Sequence, residues 1–63
     1  MTIKREARPA GGENILIEAD TMALAQSALF DLSESEEMSG RLINGRLPVC
    51  VDGKWIILAT VTS

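Results

Sequence analysis

The chain has 63 residues, a net charge of −3 at pH 7, one cysteine and no histidine. A polypeptide this short forms one domain at most and buries only about 60% of the surface its unfolded form exposes, so its stability is narrow. A disulfide framework and an intrachain zinc site of the usual nitrogen and sulfur type are excluded, a reducing cytoplasm is the expected location, and no run approaches the roughly 18 apolar residues of a membrane span.

Residues 1–12 carry Lys4, Arg5 and Arg8 against Glu6 and end in Pro9-Ala10-Gly11-Gly12. They read as a flexible N-terminal arm before a single small domain at residues 13–63. No apolar run stands behind the basic start, so a secretory leader is not expected. Residues 14–19 are apolar and β-branched, with Ile15, Ile17 and Ala19 on one face and Leu16 and Glu18 on the other, which predicts a strand. Asp20 or Thr21 then offers a side-chain oxygen to the open amides of a helix start, and strong helix formers follow.

At about 100° per residue, Met22, Leu24, Ala25, Ala28, Leu29 and Leu32 form one stripe facing the sheet. Continuing that helix would carry Glu36 into the stripe, so it ends near Ser33. Ser33 and Glu36 have the spacing of a capping box, which predicts a second short helical turn over residues 34–38 and a stop at Gly40. The last third is a meander in which Asn44-Gly45 and Asp52-Gly53 supply hairpin turns. Pro48 has no N–H, so its strand must be unpaired or bulged at that point. The expected fold class is α+β, with one helix and possibly a second short one packed on a small antiparallel sheet in the order β-α-β-β(-β).

Catalytic chemistry finds little footing. Without histidine a nucleophilic serine or cysteine lacks its usual base, and Gly11-Gly12 precedes a strand rather than a phosphate-binding helix. Cys50 alternates with Val49 and Val51 and reads as packing rather than a reactive thiol. No enzyme activity and no cofactor are expected. Charge is more informative, because residues 13–40 hold Glu13, Glu18, Asp20, Asp31, Glu34, Glu36 and Glu37 and no Lys or Arg, a block of −7 between two segments of +2. Such a block concerns partners and repulsion rather than fold. One reading is that the acids only keep a small domain soluble. The other takes them as a binding surface, since they forgo the mixed-sign pairs that stabilise surface helices and Phe30 projects beside them, away from the stripe. Cover of Phe30 by the arm or a helix bend is the competing expectation.

Proteins that hold a duplex line their grooves with Lys and Arg, and a compact acidic surface can compete for such a groove. The candidate partner-binding residues are therefore Asp31, Glu34, Glu36 and Glu37 with Phe30 as anchor, supported by Glu13, Glu18 and Asp20. Direct nucleic-acid binding and membrane binding are not expected. In the last strand Ile56 and Leu58 share the face away from Trp55, Ile57, Ala59 and Val61. One helix covers one face, so Ile56, Leu58, Leu16 and Cys50 either meet another protein or are covered by the arm through Ile3 and Pro9. A monomer or weak homodimer is expected.

The strand ending Ile17-Glu18-Ala19, the Met, Ala, Leu, Gln and Ser helix after it, and the hairpin Asp52-Gly53-Lys54-Trp55 together resemble the small phage-encoded anti-CRISPR proteins, inhibitors of type I systems, over residues 13–62. The resemblance implies an inhibitor that binds a Cas subunit of the surveillance complex and blocks target-DNA recognition, several members doing so as DNA mimics. The class shares no signature motif, so it assigns no residue here. The rival function is a small dimerising regulatory or scaffold module whose acids only solubilise.

Overall fold

In the computed structural model, which describes residues 1–38 and 40–62 and only the backbone of Glu37, the chain runs β1 (Thr2–Ala7), β2 (Glu13–Ala19), α1 (Met22–Ser33), a 3-10 turn (Glu36–Met38), β3 (Ile43–Gly45), β4 (Val49–Val51) and β5 (Lys54–Val61). The strands make one antiparallel sheet in the order β1-β2-β5-β3, and β4 pairs with the other half of β5. This is the small α+β architecture expected, with a further strand at its start.

Period-two alternation builds the core. Ile15, Ile17 and Ala19 of β2 and Ile57, Ala59 and Val61 of β5 point to the helix side and are buried. Each buried isoleucine contributes roughly 2–3 kcal/mol. Helix α1 approaches through Ala25 and Ala28, both buried, and packs Leu29 and Leu32 along the margin. Small alanines let the helix sit close to the sheet, and the covered stripe is narrow. Met22 and Leu24, expected to face the sheet, lie exposed beyond it. Met38, from the 3-10 turn, closes the core and is as buried as the isoleucines.

The ends of α1 follow local chemistry. Thr21 is the N-cap, its Oγ1 accepting from the Leu24 N–H at 3.1 Å, so of the two candidates Asp20 is released from that task. The helix stops at Ser33 as expected, and Gly40 takes a positive φ after the 3-10 turn. No capping box forms. Ser33 Oγ donates to the Phe30 carbonyl at 2.7 Å and Ser35 Oγ to the Leu32 carbonyl at 2.7 Å, so both hydroxyls satisfy the end of α1, while the expected second short turn forms as Glu36–Met38, closed by the Met38 N–H donating to the Ser35 carbonyl at 3.1 Å.

Three other expectations change. Residues 2–7 are paired along their whole length with β2, Ile3 opposite Ile17 and Lys4 opposite Leu16. Strand pairing needs only a free edge and backbone donors, so a segment with no buried side chain still joins the sheet. The joint is real, with Gly11 and Gly12 at φ 97° and 80° and the Arg8 N–H donating to the Gly12 carbonyl at 3.0 Å. Asn44-Gly45 is not a turn but part of β3. A Cβ on Gly45 would stand 2.8 Å from Leu29 Cδ2, so this glycine serves close approach of the helix rather than a reversal. Asp52-Gly53 is the tight turn, at φ 49° and 77°.

Cys50, expected to pack, is exposed. All three residues of the short edge strand β4 are exposed, and the segment before it reverses the face each one takes. Gly45 pairs with Ala59 and Val49 with Ile56, so residues 46–48 face only residues 57 and 58. That is a one-residue bulge at Pro48, as the missing N–H required. The surplus residue reverses the sidedness of β4. Val49 and Val51 turn to the face away from the helix, and Cys50 turns to the helix side, opposite Trp55. No helix among the described residues is long and apolar enough to cross a membrane.

Candidate protein-binding surface

The seven acids of residues 13–40 do not form one surface. Glu13 opens β2 on the face shared with Arg5, diagonal to it across the β1–β2 ladder. Arg5 grips it with two parallel bonds, Nε to Oε1 at 2.8 Å and Nη2 to Oε2 at 2.9 Å, and Arg41 Nη1 reaches Oε2 at 3.1 Å. Arg41 also donates to the Thr62 carbonyl at 3.4 Å. Glu13 thus ties β1, β2 and the segment before β3 together. Asp20 is bonded by Lys54 across the end of the β2–β5 ladder. Glu18 is half-buried on the face away from the helix, opposite Ile56 and Thr2. Three of the proposed binding acids therefore serve or adjoin the sheet.

The electrostatic consequences have definite signs. The Arg5 guanidinium, and after it Arg41, holds the Glu13 carboxyl below its ordinary value near 4.5. A folded-state value below the unfolded one means the triad's stabilisation is complete above that ordinary value and is lost as pH falls through the lowered one. Thermal midpoints measured from pH 6 down to about pH 2 should fall. Glu13→Gln should lower the midpoint at pH 6 and flatten the acid limb; an unchanged limb would remove the triad from the stability of the fold. The Lys54 bond likewise lowers Asp20, and Asp20 raises Lys54. That pair is exposed and contributes little.

What remains is the far end of α1. Asp31, Glu34 and Glu36 are exposed, and among the described residues none has a cation within salt-bridge distance. The Glu37 side chain lies outside the described residues. Asp31 occupies the last helical turn and Glu34 the C-cap, and no basic residue lies in that turn. The C-terminal end of a helix carries partial negative charge, where an acid costs about 0.3–1 kcal/mol instead of stabilising. Asp31 and Glu34 are placed against the helix, not for it, and Glu36 follows at the start of the 3-10 turn.

Phe30 stands beside them 62% exposed, so neither the arm nor a bend covers it. It borders a hollow of about 320 Å³ between α1 and β3, lined also by Gln26, Leu29, Ser33, Ile43 and Gly45. An exposed aromatic at the lip of a hollow, with carboxylates around it, can seat an apolar or cationic group of a partner. Met38 fixes this end, because its buried side chain pins the 3-10 turn beneath the acids. Sequence reading passed over it as one apolar residue in an acidic run. The Arg5–Glu13–Arg41 triad was hidden too, since it requires β1 to be a strand in known register. The chain matches no protein-family model, and no curated protein or solved structure matches it.

Proposed function

We propose that the chain is a non-enzymatic inhibitor that presents Asp31, Glu34 and Glu36, with Phe30 as anchor, to a Lys- and Arg-lined groove of a DNA-binding protein. The observation that carries this reading is the placement of Asp31 and Glu34, without a cationic partner among the described residues, at the negative end of α1. Residues that break a local stability rule with no compensating contact mark functional positions. A duplex presents about one negative charge per 1.7 Å of axis, so a groove built for it attracts a compact acidic surface. The resemblance to small anti-CRISPR proteins makes a subunit of a type I surveillance complex the partner to try first. Glu13 and Asp20, engaged within the chain, leave the binding set, and Glu18 lies on another face.

The test is displacement of a fluorescent target duplex from the purified surveillance complex. The wild-type chain should release the duplex, less effectively as salt rises, and Asp31→Asn, Glu34→Gln and Glu36→Gln combined should weaken release at least roughly tenfold. Equal release by the neutralised variant would mean that the acids only solubilise.

A further inference from the structure

Among the described residues nothing covers the face of the sheet away from α1. Strand β1, the segment that could have folded over it, lies in the plane of the sheet beside β2. Leu16, Leu47, Val49, Val51, Ile56 and Leu58 line a hollow of about 400 Å³ on this face. The bulge at Pro48 is what brings both valines there. Leu47 is 86% exposed and Leu58 48% exposed.

Two observations select the occupant. The first is area. The molecule exposes 4406 Å², roughly 450 Å² above the ~3950 Å² that a folded monomer of 6.8 kDa exposes. A contact of about that area on each of two copies falls in the small, weak class of protein interfaces. The second is charge. Around the apolar hollow this face carries Lys4 and Arg46 against Glu6 and Glu18, while Lys54 is already engaged by Asp20. A partner of one sign meets two like charges on this rim. A second copy brings the same two cations and two anions, as a two-fold contact requires.

We infer that the open sheet face is a homodimer interface, two copies packing sheet against sheet with their helices outermost. Aligned sheets pack about 10 Å apart with interdigitating side chains, which turns the exposed hollow of each copy into a second core. The acidic ends of both α1 helices remain free, so the pair is a bivalent form of the binding surface proposed above, although the dimer does not depend on that function.

Sedimentation velocity from about 5 to 500 µM, a range set by the small interface, reads the outcome. The wild-type mass should rise from 6.8 kDa toward twice that value across the series. Leu58→Lys should stay at the lower mass with an unchanged circular dichroism spectrum. Leu47→Lys, at a side chain too exposed to affect folding, should weaken association at least fivefold and serves if the first variant unfolds. A wild-type chain that stays monomeric throughout overturns the inference and leaves the face to a different protein. Association lost on neutralising Asp31, Glu34 and Glu36 but kept in both lysine variants would place the contact at the acidic end and also overturn it.

Discussion

Gly12→Ala should remove about 3 kcal/mol or more of the protein's stability, seen by circular dichroism as a fall of roughly 12–24 °C or more in the thermal midpoint. Two penalties coincide at this residue. Its φ of 80° lies in the left-handed region, which costs an alanine about 1–2 kcal/mol. An added Cβ would also stand 2.1 Å from the Val61 carbonyl oxygen, a backbone atom in the central strand that cannot rotate aside. Opening that contact means separating the start of β2 from the end of β5, where Glu13 pairs with Val61. The total cost is about 3 kcal/mol or more, against a stability of roughly 3–9 kcal/mol for a chain of this length. Gly53→Ala is the matched control. Its φ is 77°, nearly the same, but nothing lies within 4 Å of its added Cβ, so only the conformational penalty applies. A Gly12 variant no less stable than the Gly53 variant would show that the β2–β5 approach is looser than described.

Met38→Ala should cost about 2–5 kcal/mol, the range for truncating a large buried side chain. Met38 is 1% exposed and, among the described residues, is the one large fully buried side chain outside β2 and β5. Its loss should act on the acidic end as well as on the global midpoint. With the 3-10 turn released, a glutamate-specific protease should cut after Glu34 and Glu36 several-fold faster under conditions where the sheet stays folded. If cleavage is unchanged while the midpoint falls, Met38 fills the core without positioning the acids. A thermal midpoint within 1–2 °C of wild type would sink both parts, since 1 kcal/mol shifts a domain of this size by about 4–8 °C.

The sequence discloses those parts of the fold that rest on local periodicity and on residues with a single physical use. Ile15, Ile17 and Ala19 alternate with Leu16 and Glu18 because one face is buried, and the structure keeps that division. Thr21 and Ser33 bound α1 where the capping oxygen and the approach of Glu36 to the apolar stripe require. Pro48 announces its bulge through a missing donor.

Features that depend on partners distant in the chain were not legible. Gly45 has the dipeptide context of a turn, and only the position of Leu29 reveals its other use. The charge of Glu13 points outward as a count but inward as a contact, because Arg5 and Arg41 reach it from residues on either side of the acidic run. Of the candidate surface, Asp31, Glu34, Glu36 and Phe30 are exposed together at the end of α1, whereas Glu13, Glu18 and Asp20 lie with the sheet. The distinction is geometric and no charge tally contains it.

The surplus residue at the bulge also makes one surface of this protein sensitive to length rather than to composition. Strand parity downstream of Gly45 is set by an odd count, and the Asp52-Gly53 turn fixes where that count must end. Loss of any single codon for residues 46–48 would swing Val49 and Val51 toward the helix side and present Cys50 in their stead. Every apolar residue of β4 would survive such a deletion, yet its two outward valines would be gone. Relatives that preserve the interface should therefore conserve the spacing from Gly45 to Val49 more strictly than the residues that fill it.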